Sequence, residues 1–275
     1  MGRRITAALV DLSGCLHVED TAITGAVEAI ERLRHVVTHV QFVTNSSKEC
    51  ASALYERLRR CGFTLEQHEI YTSLIAARRY VELHRLRPML LLEPPAMVDF
   101  DGIDTSDPNA VVVGLAPSHF NYARLMSVFR LLMDNADAQF VAINKGRYYK
   151  KKDGLALGAG AFVSALEYST GRQAHVVGKP SREFFLSALA SLSAELQPCE
   201  AVMIGDDWKD DVQGALHAGL NGILVRTGKY RIGDEGYVQC ATANGNCDGP
   251  SSAPFHMVAE SVAEAVELIA RLNES

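Results

Sequence analysis

Asp11, Thr44, Lys179 and Asp206 each close a short apolar run, and between them they supply a carboxylate, a hydroxyl, an ammonium and a second carboxylate. Asp11 follows the run over 5–10 and precedes Ser13 and Gly14, which break a strand. An aspartate in that place is a nucleophile, a ligand for a hard cation, both of these, or no more than a turn cap. Thr44 and Asn45 close the run over 40–43, where a hydroxyl and backbone N–H groups can hold a phosphate. Lys179 stands in Gly178-Lys179-Pro180, just after the run over 175–177. The wholly apolar run over 201–204 ends on Gly205-Asp206-Asp207-Trp208-Lys209-Asp210-Asp211. So dense a set of carboxylates at a strand end is costly unless something cationic neutralises it, and Mg2+ with oxygen ligands is the natural candidate. A nucleophile, phosphate-holding donors, a fixed cation and a carboxylate-held metal are the parts that phosphoryl transfer uses. Each signal is weak alone, and the ordered set carries the reading.

Those residues need a parallel sheet to bring them together. In such a sheet the strand ends point the same way, towards the edge where open α/β folds bind ligands. The periodicity predicts a helix over 25–36 with Val27, Ile30 and Leu33 on one face. Ser46-Ser47-Lys48-Glu49 reads as a capping box opening a helix that runs to Cys61. That helix would set Thr44 and Asn45 at a helix N-terminus, a favourable place for a phosphate. A short helix over 74–84 follows. From about residue 88 a second series begins: strands over 89–92, 111–113 and 140–143, and a helix over 121–133. The basic segment Lys145 to Lys152 is either a solvated face or a loop meeting an anionic substrate, with Lys145, Arg147 and Lys150 as the contacts. Glycines 154, 158 and 160 mark a loop into a helix over 161–168. Pro180 is placed to start a helix at its first position. A helix over 212–218, a strand over 223–225, a polar loop over 237–254 and an amphipathic helix over 261–272 complete the chain.

Composition narrows the class. The chain has 275 residues, 48% of them hydrophobic, and a formal net charge of −6. It is long enough for one large domain or two smaller ones, and its acidity argues against a nucleic-acid surface. Six cysteines are scattered without a CxxC or zinc pattern, which reads as free thiols in a reducing compartment, the cytoplasm. His35 and His39 stand four apart but lack the rest of any zinc motif. No apolar run approaches the roughly 20 residues of a membrane helix, so no membrane partner is expected. Asp11 arrives too early for a signal peptide, and the first strand leaves little free arm for the loose myristoylation pattern at Gly2.

The ordered set resembles the haloacid dehalogenase superfamily. The matching pieces are Asp11-Leu12-Ser13-Gly14, the apolar block ending on Val43-Thr44-Asn45, Gly178-Lys179-Pro180, and the acidic motif over 205–211. The long interval between Thr44 and Lys179 looks like the large α/β cap that one branch inserts between its second and third motifs. The resemblance implies a Rossmann-like parallel-sheet core over 1–75 and 176–275 and an α/β cap over 76–175. It implies a Mg2+-dependent phosphohydrolase working through an aspartyl-phosphate. Asp11 would be the nucleophile and would also bind Mg2+. Ser13 would bind the metal through its carbonyl. Thr44 and Asn45 would hold the transferring phosphoryl group. Lys179 would neutralise phosphate and nucleophile. Asp206 would be a direct metal ligand, and Asp211 would act through water or from behind the ligands. The partner would be a small phosphorylated substrate, and a homodimer through the cap is a further implication.

Ser13 departs from the superfamily pattern. Most phosphatases of this type carry a second Asp there as general acid and base, help that is typically worth about 10²–10⁴-fold. Serine cannot give it at neutral pH. Either the leaving group needs little protonation, as in a phosphoramidate, pyrophosphate or aryl phosphate, or the chain is a catalytically weak phosphate- or protein-binding module. His17 is a substitute acid on position alone, and Cys15 a nucleophile only on paper, since no His or Asp partner stands at a recognisable spacing. Dehalogenation would not need the acidic cluster over 205–211.

Overall fold

A strand buried on both faces is apolar along nearly its whole length, and Ala7–Asp11, buried at all five residues, is apolar up to its terminal carboxylate. The computed structural model, which describes residues 4–151, 154–238 and 254–274, makes this strand, β1, the centre of an α/β fold. The elements that follow are β2 (His17–Val18), β3 (Thr21–Ala22), α1 (Ala26–Val36), β4 (His39–Thr44), α2 (Ala51–Arg60), β5 (Ile70–Thr72) and α3 (Ser73–Leu83). Next come β6 (Pro88–Leu91), α4 (Pro94–Met97), β7 (Ala110–Val113), α5 (Tyr122–Asp134), β8 (Gln139–Ala142), β9 (Tyr148–Lys151), β10 (Gly154–Leu157), α6 (Ala159–Thr170) and β11 (His175–Val176). The chain ends with α7 (Arg182–Leu192), β12 (Ala201–Gly205), α8 (Gly214–Ala218), β13 (Asn221–Val225), β14 (His256–Ala259) and α9 (Val262–Glu274).

Two compact units result. One holds Met1–Thr44, Leu54–Tyr71 and Lys179–Ser275; the other holds Asn45–Ala53 and Thr72–Gly178. The first is built on a six-stranded sheet in the order β14-β13-β12-β1-β4-β5, parallel from β14 through β4. Ile30 and Leu33 of α1 and Val262, Val266 and Ile269 of α9 pack with Ala8, Val10, Val202 and Ile204 in one core. The second unit is built on a parallel four-stranded sheet, β11-β8-β7-β6. Its core joins Val128 and Leu132 of α5 and Val163 and Leu166 of α6 to Leu91, Val111, Val113 and Phe140. Asn121 starts α5 by accepting the Arg124 N–H at 3.0 Å, as its residue type favours.

Several local readings change in the structure. No helix opens at Ser46: α2 begins at Ala51, whose N–H donates to the Asp99 carboxylate at 3.1 Å. Ser47 Oγ, next to the expected cap Ser46, accepts the Leu115 N–H at 3.1 Å and so serves a distant loop. Within the basic segment, Tyr148–Lys151 form the strand β9, which pairs antiparallel with β10. Pro180 precedes α7, which starts at Arg182 behind Ser181. The second half of the acidic motif lies in a π-helical turn, Trp208–Gln213, which leads into α8. The short strands β5 and β14 lie where no strand was expected. Of the expected loop over 237–254, residues 239–253 lie outside the described residues.

Asn221 ties the first unit's sheet together behind the strand ends. It is fully buried; its Nδ2 donates to the carbonyls of Cys199 at 3.0 Å and Ala201 at 2.9 Å, and its Oδ1 accepts the Phe255 N–H at 3.3 Å. Asn221→Ala strands these buried groups and is expected to cost roughly 1–3 kcal/mol. Urea unfolding is the check: the midpoint should fall with the slope unchanged.

Candidate active site

Register sets the site. Asp11 pairs with Val43 of β4, and Val10 pairs with Ile204 of β12. Asp206 and Thr44 therefore lie one residue beyond the level of Asp11, on strands flanking it on either side. All three are buried. Lys179 does not arrive as the strand end the sequence suggested: the preceding strand, β11, belongs to the sheet of the second unit. Lys179 is instead the first residue of the returning segment of the first unit, and charge holds it in place. Its Nζ donates to Asp11 Oδ1 at 2.5 Å and to Asp211 Oδ1 at 2.6 Å, with the ammonium only 3% exposed.

The acidic motif divides its work. Asp206 and Asp211 join Asp11 in a buried cluster whose nearest oxygens all lie within 4.8 Å of one another. Asp211 Oδ2 also accepts the Asp207 N–H at 3.1 Å, so Asp211 is anchored to its own turn while it holds Lys179. Asp207 points elsewhere: its Oδ1 caps the π-helical turn by accepting the N–H groups of Lys209 and Asp210, both at 3.0 Å. Its Oδ2 pairs with Lys229 Nζ at 3.2 Å. Asp210 does not enter the cluster, and burial pushes its carboxyl up to about 6.

Ser13 is exposed in the turn after β1 and bridges to His17. His17 is buried, and its Nδ1–H donates to the Glu19 carbonyl at 2.7 Å within the β2–β3 hairpin. Cys15 is buried, and burial, then the Asp11 and Asp206 charges, drive its thiol well above the usual range, which rules against a thiolate nucleophile. Asn45 belongs to the second unit, where its carbonyl accepts the Asn144 amide at 3.0 Å. In that unit Lys145 pairs with the buried Glu167 at 2.5 Å, Lys48 lies 4.0 Å over the Tyr149 ring, Arg147 is exposed, and the Lys150 side chain lies outside the described residues.

A group of residues absent from the sequence reading completes the site. The turn after β13 brings the Lys229 N–H to Asp206 Oδ2 at 2.6 Å and Thr227 Oγ1 to the Gly14 carbonyl at 2.6 Å. The signal was available: the apolar run over 223–225 ends on Arg226-Thr227-Gly228-Lys229, one more strand end with a hydroxyl and a cation.

Electrostatically the cluster is short of positive charge. Burial would lower the Lys179 pKa, but Asp11 and Asp211 outweigh it and raise it, so the ammonium is permanent. Burial, reinforced by the Asp11 and Asp211 charges, holds Asp206 well above the usual carboxylate range. Burial pushes Asp211 up to about 7 against the pull of Lys179. Asp206 Oδ1 is buried without a hydrogen-bond partner among the described residues. One ammonium cannot neutralise three carboxylates, and an orphaned carboxylate oxygen among hard donors suits a divalent cation with oxygen ligands.

Two family models match the chain: residues 8–101 fit the haloacid dehalogenase-like hydrolases and residues 176–265 fit the HAD-hydrolase-like model. The fold is thus that of a hydrolase of this kind. The haloacid dehalogenase-like hydrolase domain-containing protein 2 of Bos taurus is 58% identical over 233 residues, spanning 85% of this chain and 88% of that protein. The phospholysine phosphohistidine inorganic pyrophosphate phosphatase of Xenopus laevis is 41% identical over 246 residues, spanning 88% of this chain and 90% of that protein. Among solved structures, the 4-nitrophenylphosphatase of Thermotoga maritima superposes with a TM-score of 0.80 at 25% identity, covering 96% of this chain and 97% of that one. The chain belongs to the haloacid dehalogenase-like hydrolase family, and it is one of the family's phosphatases. No helix among the described residues is long and apolar enough to cross a membrane.

The raised carboxylates set a pH dependence. Between the ordinary carboxylate value near 4 and about 7, the folded chain binds more protons than the unfolded one, so metal-free stability falls as pH rises through that window. A cation must displace those protons, so Mg2+ is expected to raise the melting temperature more at about pH 8 than at about pH 5.5. Thermal melts with Mg2+ and with EDTA at both pH values test this; an equal or larger shift in acid counts against it.

Proposed function

We propose that this phosphatase is Mg2+-dependent, forms an aspartyl-phosphate on Asp11, and acts on small phosphorylated substrates with good leaving groups. The observation that carries the reading is the Lys179 ammonium fixed between Asp11 and Asp211 beside the orphaned oxygen of Asp206. An Asp11 oxygen attacks phosphorus and the leaving group departs with the electron pair of its bond to phosphorus. Water then attacks the same phosphorus, releasing inorganic phosphate and restoring the Asp11 carboxylate. Lys179 offsets charge on the nucleophile and on the phosphoryl oxygens. Thr44 and Asn45 hold the phosphoryl group. Asp11, Asp206 and the Ser13 carbonyl would hold Mg2+, which supplies Lewis-acid polarisation of the phosphoryl oxygens when bound. Asp211 keeps Lys179 in place. The inserted α/β unit selects the substrate.

Ser13 points to the substrate class. A phosphoramidate, pyrophosphate or aryl phosphate expels its leaving group with little help from an enzyme acid, and the relatives named for phospholysine, phosphohistidine, pyrophosphate and 4-nitrophenyl phosphate support that choice. Ser13 is also the feature that supports the second reading, a catalytically weak module of this fold that binds phosphate or a protein. The free thiols Cys15, Cys50, Cys61 and Cys199 support a reducing, cytoplasmic setting. The same reading includes a homodimer, which light scattering decides.

The deciding experiment is phosphate release, with Mg2+ and with EDTA, from pyrophosphate, imidodiphosphate, phosphohistidine, p-nitrophenyl phosphate and sugar phosphates. Mg2+-dependent release confined to anhydride, P–N and aryl substrates supports the proposal; binding without release supports the module. Asp11→Asn is expected to lower that turnover by at least about 10³-fold. Turnover that survives the change means another nucleophile. Ser13→Asp is expected to speed alkyl ester hydrolysis selectively, by about tenfold or more towards the ~10²–10⁴ that a general acid is worth. An unchanged ratio of ester to phosphoramidate hydrolysis sinks that account.

A further inference from the structure

We propose that Thr227, through the turn it anchors, is a positioning residue that makes Asp206 a one-oxygen ligand for the divalent cation. The proposal rests on the Mg2+ reading above and adds to it the device that orients the ligand. The two oxygens of Asp206 have different fates. Oδ2 is held by the Lys229 N–H at 2.6 Å, while Oδ1 is buried with no hydrogen-bond partner among the described residues. A carboxylate free to turn would exchange these roles; this one is wedged. Gly14 and Gly228 flank Oδ2 at φ values of 96° and 54°, and a Cβ on either would overlap that oxygen. The two glycines are locked together by the Thr227 hydroxyl, which donates to the Gly14 carbonyl at 2.6 Å.

One hydroxyl thus joins the turn after β13 to the turn after β1, which carries Asp11 and Ser13. Breaking it frees both walls of the Asp206 slot at once. The same turn settles which of two adjacent aspartates serves. Lys229 Nζ pairs with Asp207 Oδ2, and Asp207 Oδ1 is spent on capping, so Asp207 stays out of the cluster while Asp206 stays in it. Partners lying behind a metal ligand in this way typically account for about 10–100-fold in metal affinity.

The test is calorimetric titration of MgCl2 into the full chain stripped with EDTA, for the wild type, Thr227→Val and Thr227→Ser. Thr227→Val is expected to weaken Mg2+ binding about 10–100-fold, and Thr227→Ser, which keeps the hydroxyl, to stay within about threefold of the wild type. In turnover, Thr227→Val should need more Mg2+, with most of kcat recovered at saturation. Thr227→Ala provides a second hydroxyl-free variant should Thr227→Val fail to fold. Wild-type affinity in a hydroxyl-free variant overturns the proposal alone, and so does equal weakening in Thr227→Ser, since packing would then be the cause. A wild-type chain that binds no Mg2+ overturns this proposal and the Mg2+ reading together.

Discussion

Three carboxylates and one ammonium share a buried space at the carboxyl edge of the first unit's sheet, and that imbalance governs the site. Two unit charges about 4 Å apart interact by ~4 kcal/mol even at an effective dielectric near 20. Lys179 meets Asp11 and Asp211 at hydrogen-bonding distance and so relieves part of the repulsion. Burial first, and then the repulsion that remains, raises the affinity of Asp206 and Asp211 for protons. A fold that buries such a cluster holds a demand for positive charge, and a metal ion together with a phosphoryl group would meet that demand in an organised way. The same unmet charge that costs stability is therefore what would bind the ligands.

Rigidity comes from the sheet. β1, β12 and β13 are buried at every residue, so their ends are placed by packing on both faces and by ladder hydrogen bonds. Two of the carboxylates just beyond the end of β12 are tied by backbone donors: Asp207 N–H to Asp211, Lys229 N–H to Asp206. The acidic motif that looks uniform in sequence thus separates into a cluster member, a cap, an outlying group and an anchor for Lys179. The π-helical turn over Trp208–Gln213 performs that separation, since Asp207 caps it while Asp211 turns back into the cluster.

Much of the site was legible because its residues follow short, largely apolar runs that end on a polar residue. The runs before Asp11, Thr44 and Asp206 are of that kind, Gln41 being the polar member of the second, and parallel strands carry such ends to one edge. Lys179 was identified for a partly mistaken reason: β11 is a strand, but it pairs with β8 in the other sheet, and strand membership depends on partners far away in the chain. The capping box at Ser46 failed on the same ground, because α2 begins only at Ala51, whose N–H is held by Asp99 from far along the chain. The 226–229 turn went unread because Thr, Gly and Lys after a strand look like any loop until Gly14 and Asp206 are seen against them.

By itself the sequence determined the α/β class, the strand-end carboxylates, the lysine and the serine where an acid is usual. These are local properties: hydrophobic runs, breakers and the chemistry of single side chains. Tertiary structure alone decided which carboxylate faces the cluster, what holds the lysine, how the Gly14 and Gly228 turns close on Asp206, that Tyr148–Lys151 of the basic segment pairs with β10, and that Lys145 is spent on Glu167. Those are properties of pairs distant in the chain, and a buried charge takes its meaning from its partners.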